Sequence, residues 1–222
     1  MKPHAVPPVA FQFDDAEQQA YAATLGVWIF LATELLFFGP LFFGYLYGRT
    51  HLPEAFALAS RQTDVVLGTL NTALLLTSSA TMVIAAAVRK SGAIRAAKLL
   101  LAATVMLGIA FLAIKGYEYR SEWNGHLFPG ERFAFPQSRL HRGGAEMFFI
   151  LYFAMTALHA LHLLAGILMT VLFAIALHRG AEVFASADRI ELAGLYWHFV
   201  DIVWVFLYPI LYLIGRSGSQ GG

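Results

Sequence analysis

Five long runs of apolar residues divide the chain, and short polar stretches separate them. Each run is long enough to cross the roughly 30 Å hydrocarbon core of a bilayer as a single helix. The runs cover residues 22–47, 65–88, 99–117, 145–177 and 192–214. The pattern therefore predicts an all-α fold, namely a polytopic membrane helix bundle with five transmembrane helices.

The composition supports a membrane protein and narrows the chemistry open to it. Hydrophobic residues make up 59% of the 222 residues, charged residues make up 13%, and the mean hydropathy is +0.64. The net charge of +1, without a concentrated basic face, argues against a nucleic-acid partner. The chain has no cysteine, which excludes disulfides, iron–sulfur clusters, thiolate-bound copper and covalent c-type haem. Any metal would need histidine and carboxylate ligands.

The polar stretches suggest how the chain is organised. Residues 1–20 contain three prolines and three acids but no apolar core, so we expect a polar leader and not a cleavable signal peptide. Residues 21–216 form the predicted five-helix domain, and residues 217–222 form a flexible tail. Residues 49–64 are expected to be a short polar loop, and residues 121–142 the longest loop.

The loop that contains Arg89, Lys90, Arg95 and Lys98 is the shortest and most basic. By the positive-inside tendency this loop is cytoplasmic. Five spans then place the N-terminus in the cytoplasm and the C-terminus outside.

Several ionisable side chains lie inside the predicted spans. They are Glu34, His159, His162, His198 and Asp201. A carboxyl at mid-membrane depth costs at least about 2.5 kcal/mol, so each acid should face protein and have a partner.

The last span carries a polar and aromatic stripe. Trp197, His198, Asp201, Trp204 and Tyr208 fall on one side of a helix with 3.6 residues per turn. We expect Asp201 to pair with His198, one turn away, or with the indole N–H of Trp197 or Trp204. The alternative is an aromatic packing seam in which Asp201 has no function.

Glu34 lies near the middle of the first span, half a turn or more before Pro40. We expect it to stay protonated or to pair with a histidine of the fourth span, because an isolated carboxylate there would be desolvated. Alternatively, it hydrogen bonds to a backbone carbonyl that Pro40 leaves without a donor.

The residues leave three functions open. Histidines inside the membrane can bind b-type haem, but His159 and His162 project side by side and cannot hold the two faces of one haem. At most one bis-histidine site could form, with His198. A proton relay or transporter could use Glu34, His159 and Asp201, yet no inverted repeat is visible. The third function, an auxiliary subunit of a redox complex, needs no metal in this chain.

Several segments resemble subunit III of the haem-copper oxidases, the cytochrome c oxidase family. The segments are YWHFVDIVWVFLY at 196–208, VWIFLATELLFFGPLFFGY at 27–45, LNTALLLTSSAT at 70–81, Glu118–Tyr119, and TALHALHLLAGI at 156–167. Ala157 and Ala160 depart from the family pattern, which has glycine at both places. The five spans resemble the short bacterial form, which lacks the first two of the seven helices that many members carry.

The resemblance implies a non-redox subunit of a terminal oxidase in the bacterial plasma membrane. Such a subunit binds subunit I, holds structural phospholipids and supports proton uptake and turnover stability. Haem and copper would belong to subunits I and II, and cytochrome c would bind the complex elsewhere. Glu34, His162 and Arg179 would line the lipid cleft.

The electron donor is open at this point. The parent complex could also be a quinol oxidase or a nitric oxide reductase with a related accessory subunit. Glu34 and the Leu-Asn-Thr run at 70–72 favour the cytochrome c type by resemblance.

Overall fold

The structure, a computed structural model, describes residues 9, 11–135, 140–181 and 184–216. Among these residues, five helices are long and apolar enough to cross a membrane, which confirms the predicted all-α, five-span fold. The helices are α1 (Ala16–His51), α2 (Pro53–Ser60), α3 (Val65–Lys90), α4 (Ile94–Asn124), α5 (Arg142–His178) and α6 (Ala187–Tyr208), and a π-helix (Pro209–Leu213) continues α6. The predicted tail and residues 1–8 and 10 of the predicted leader lie outside the described residues. Residues 16–20, which were predicted to belong to the leader, form the first part of α1.

The helices extend beyond the apolar runs from which they were predicted. Helix α1 begins at Ala16, where the Asp15 carboxylate accepts a hydrogen bond from the Gln18 amide at 2.7 Å and caps the helix. Helix α4 continues to Asn124. Hydropathy marks only the part of a helix that crosses the bilayer, whereas the backbone hydrogen bonds continue into the interface.

The prediction of a polar loop at residues 49–64 was wrong, because this stretch contains α2. Pro53 occupies the first turn of α2, where its missing N–H costs nothing. Phe56 and Ala59 are fully buried. Helix α2 therefore packs into the end of the bundle against α1 and α5.

Helices α3 to α6 surround the core of the bundle. Helix α3 packs against α4 and α6, and α5 packs against the same two helices. Trp197, Trp204, Tyr152 and Phe111 are among the largest fully buried side chains. Helix α1 lies at the side of this group, against α5 and α6.

Large apolar side chains of α1 point away from the protein. Leu36, Phe37 and Phe43 are 75%, 64% and 69% exposed. Such a surface suits the hydrocarbon of a bilayer. Together with the five long apolar helices, it indicates a multi-pass membrane protein.

The π-helix changes the direction of the last side chains of the bundle. Pro209 has no N–H and cannot continue the α-helical hydrogen bonds. The Tyr45 hydroxyl of α1 donates a hydrogen bond to the Ile210 carbonyl. Tyr212 turns inward and is fully buried.

Candidate functional site

Glu34 of α1 and His162 of α5 meet inside the membrane-spanning part of the bundle. The His162 Nε2 atom lies 2.7 Å from a Glu34 carboxyl oxygen. Both side chains are largely buried, at 14% exposure for His162 and 19% for Glu34. The structure thus shows the expected pairing of Glu34 with a histidine of the fourth span.

The contact of the second ring nitrogen of His162 shows which nitrogen of the imidazole carries a hydrogen. His162 Nδ1 lies 2.8 Å from the Leu158 carbonyl, which can only accept, so Nδ1 carries a hydrogen. The Nε2–carboxyl contact then has one shared proton, as imidazolium and carboxylate or as neutral imidazole and acid. Either form leaves the pair neutral overall, which lowers the cost of placing it at membrane depth.

Aromatic residues from two further positions close the site. The Phe38 ring centroid lies 5.3 Å from that of His162. The Tyr196 hydroxyl of α6 donates to the His162 carbonyl at 2.9 Å. The site therefore joins α1, α5 and α6, and together with the Tyr45–Ile210 hydrogen bond it holds the peripheral helix α1 to the bundle.

The histidine and the two tryptophans on the polar side of α6 form hydrogen bonds with α3 and not with Asp201. His198 Nδ1 lies 2.6 Å from the Ser79 hydroxyl. The indole N–H of Trp197 donates to Ser78, and that of Trp204 donates to Thr72, each at 3.0 Å. These bonds join two helices with the hydroxyls that α3 supplies along one face.

The expected partners of Asp201 are therefore engaged elsewhere, and that prediction was wrong. Asp201 is 4% exposed, and its carboxyl oxygens have no hydrogen-bond partner within the described part of the chain. The Ser79 hydroxyl lies close enough to interact with the Asp201 carboxyl, but its hydrogen-bond contact is with His198. The sequence placed Asp201 and the indoles on one side of α6, but the hydroxyls of Ser78 and Thr72 on α3 lie within hydrogen-bond distance of the indoles.

His159 occupies an aromatic pocket in the core. Its ring centroid lies 5.4 Å from that of Phe111 and 5.1 Å from that of Trp204. It is fully buried, and its nitrogens have no hydrogen-bond partner among the described residues. His159, His162 and His198 each have separate surroundings. In the described ranges no three His, Asp or Glu side chains are grouped as metal ligands.

Two apolar grooves run along α1. One, of about 680 Å³, lies between α1 and α6 and includes Trp28, Phe38 and Phe206. The other, of about 530 Å³, lies among α1, α5 and α6, is bordered by Tyr196 beside the Glu34–His162 pair, and reaches Arg189.

Arg179 lies elsewhere. It lines a groove of about 520 Å³ between α4 and α5. The structure therefore brings Glu34 and His162 together but does not bring Arg179 to them. Arg189, which sequence reasoning missed, lines the groove among α1, α5 and α6.

Comparison with known proteins decides the family. The family model for cytochrome c oxidase subunit III matches residues 142–216. Cytochrome c oxidase subunit 3 of Alkalihalophilus pseudofirmus is 32% identical over 197 residues, which cover 87% of each chain. The chain belongs to the cytochrome c oxidase subunit III family.

Other relatives of this chain are named as subunits of different oxidases. Quinol oxidase subunit 3 of Bacillus spizizenii is 29% identical and covers 87% of this chain and 88% of its own length. A heme-copper oxidase subunit I+III of Aeropyrum pernix is 29% identical over 85% of this chain, which corresponds to 22% of that longer protein. A subunit III family member is a part of an oxidoreductase complex and associates with other oxidase subunits.

This subunit III family member also contains a buried polar cluster that sequence reasoning missed. Lys115 and Glu118 of α4 form an ion pair at 2.9 Å, with side chains 5% and 3% exposed. Tyr152 of α5 and Tyr212 of the π-helix bond to both of them. The signal was the run Lys115 to Arg120, which ends an apolar span. The i, i+3 spacing in this run places Lys115 and Glu118 on one face of the helix.

Proposed function

We propose that this chain is the non-redox auxiliary subunit III of a haem-copper terminal oxidase of the cytochrome c type in a bacterial plasma membrane. Its tasks are to bind subunit I, to hold structural phospholipids, and to support proton uptake and turnover stability. The supporting observation is the Glu34–His162 pair, which Phe38 and Tyr196 connect to two apolar grooves, an arrangement suited to helix packing and lipid contact.

The groove among α1, α5 and α6 suits a phospholipid. Its walls are apolar and include Val27, Phe30 and Phe173, which match an acyl chain. Arg189 at its end offers a positive charge for a phosphate group. This groove supports Arg189 over Arg179 as the basic residue at the lipid site, because Arg189 and Tyr196 line the same groove and Tyr196 bonds to His162.

Subunit I is the proposed protein partner. The relative that carries subunits I and III in one polypeptide keeps the two together by a covalent link. An equivalent contact between separate chains would position this helix bundle against subunit I. Subunit II would complete the complex, with haem and copper in subunits I and II and cytochrome c bound elsewhere on it.

A quinol oxidase is the second candidate for the parent complex. A relative named quinol oxidase subunit 3 is nearly as similar to this chain as the relative named for cytochrome c oxidase. The electron donor is a property of the partner subunits, so only the assembled complex distinguishes the two.

Purification through an affinity tag on this chain tests the assignment. We expect subunits I and II to co-purify, with haem bands in the complex and none in the chain released from it. Oxygen consumption with reduced cytochrome c, compared with a quinol, identifies the donor. Recovery of the chain alone, with its own turnover, would contradict the proposal.

Deletion of this chain tests the supporting role. We expect the remaining complex to retain haem and initial activity and to lose activity sooner during sustained turnover. For phospholipid, Arg189→Gln should release bound lipid from the purified complex, whereas the matched variant Arg179→Gln, on the other groove, should retain it. Native mass spectrometry measures both, and equal lipid content in all three proteins would contradict the lipid site.

A further inference from the structure

Lys115 lies at the centre of a buried polar cluster in which each of its three donors has an acceptor. The Lys115 ammonium donates to Glu118 at 2.9 Å, to Tyr152 at 2.9 Å and to Tyr212 at 2.6 Å. These are all three donors that an ammonium has. The rings of Tyr119, Tyr152, Trp204 and Tyr212 lie 4.7 to 5.5 Å from the nitrogen and add cation–π contacts.

Two tyrosines connect Lys115 to Glu118. Tyr152 and Tyr212 accept hydrogen bonds from Lys115, and both donate to the Oε1 atom of Glu118, at 2.9 and 2.7 Å. Glu118 thus only accepts, as a carboxylate does. Lys115 and Glu118 therefore form a balanced pair of opposite charges.

Glu122 is a second buried acid near this cluster, and it takes no part in the hydrogen bonds just described. It lies four residues after Glu118, on the same face of α4. It is 5% exposed, and neither carboxyl oxygen has a hydrogen-bond partner among the described residues. The charges of Lys115 and Glu118 act on it, and the Tyr152 hydroxyl lies close enough to interact with its carboxyl, but the one hydrogen of that hydroxyl is donated to Glu118.

The carboxyl oxygens of Glu122 are shielded from solvent by the described residues. Leu127, Phe133 and Phe135 of the segment after α4 are also buried. The Leu127 amide donates to the Glu122 carbonyl at 3.0 Å, which folds this segment over the end of the helix. A negative charge on Glu122 would be desolvated, next to Glu118 and without a cation of its own.

We propose that the end of the bundle formed by α4, α5 and the π-helix is a proton-binding site, in which Glu122 holds one proton beside the Lys115–Glu118 pair. The bound proton keeps the buried cluster neutral. Glu122 releases this proton when the negative charge of Glu118 is lost, because the Glu122 carboxylate then balances the charge of the Lys115 ammonium. This site is separate from the Glu34–His162 pair.

Infrared spectroscopy of the membrane complex purified through this chain tests the proposal. The spectrum of the unchanged complex minus that of Glu122→Gln should contain the C=O stretch of a protonated carboxyl, and this band should shift downward in D2O. The matched control Glu131→Gln, at an exposed carboxyl of the adjacent loop, should remove only carboxylate bands.

A second variant tests the charge balance. In Glu118→Gln the protonated-carboxyl band of Glu122 should disappear, because Glu122 ionises to balance Lys115. The proposal is overturned if Glu122→Gln removes only carboxylate bands, or if the protonated-carboxyl band persists unchanged in Glu118→Gln. Failure of Glu122→Gln to assemble would also overturn it, since glutamine has the charge and nearly the shape of the neutral acid.

Discussion

Glu34 and His162 show how a single contact makes an acid tolerable at membrane depth. The carboxyl is 128 residues away from the imidazole in sequence, and the 2.7 Å contact forms only when α1 packs on α5. Removing either partner leaves the other buried without a partner, which is more costly than the net gain from the pair itself.

A double-mutant cycle measures this contact. Glu34→Gln and His162→Gln should each lower the free energy of unfolding by about 1 to 3 kcal/mol, because each leaves a buried polar group unsatisfied. The double variant should lose less than the sum, with a coupling energy of about 1 to 3 kcal/mol. Unfolding of the chain in detergent micelles provides the free energies.

Thr24→Val replaces Glu34→Gln in the control cycle. Thr24 is exposed on α1 and bonds to its own helix at the Ala20 carbonyl. Its coupling to His162→Gln should be zero within error. A coupling near zero in the Glu34 cycle as well would contradict the contact.

At the scale of the elements, α2 depends on glycines in its neighbours. A Cβ atom at Gly48 of α1 would lie 2.3 Å from the Phe56 ring, and one at Gly144 of α5 would lie 2.5 Å from the Ala55 Cβ. The short helix can pack against α1 and α5 only because these two side chains are absent.

Adjacent glycines of α5 provide a matched test of this packing. Gly144→Ala should lower the free energy of unfolding by about 1 to 3 kcal/mol, because the added methyl group overpacks the contact with α2. Gly143→Ala should have little effect, since a Cβ there meets nothing within 4 Å. Thermal unfolding of both variants checks this, and equal midpoints would show that α2 does not pack as described.

At the scale of the whole molecule, the orientation in the membrane is a prediction that labelling can decide. The chain has no cysteine, so a single introduced thiol is unambiguous. Ser91, between α3 and α4, and Glu131, between α4 and α5, are both exposed. We expect a membrane-impermeant maleimide to label Glu131→Cys on intact cells, and Ser91→Cys only after the cells are permeabilised, because the positive-inside tendency predicts a cytoplasmic basic loop. The reverse pattern would place the N-terminus outside.

The sequence by itself determined the class of fold and the number of spans, because a bilayer requires long apolar helices whatever their packing. It also pointed to Glu34 and to the histidines of the fourth span, since an acid in lipid needs a partner. The motifs at 27–45 and 196–208 were enough to indicate the family.

Only the tertiary structure decided which polar groups meet. Asp201 lost its expected partners because the hydroxyls of α3 faced the indoles, and Lys115 with Glu118 proved to be buried because Tyr152 and Tyr212 came from distant segments. The packing of the helices also places Arg179 and Arg189 in two different grooves. Periodicity gives the face of a helix on which a residue lies, but the neighbour of that face depends on the packing of the whole bundle.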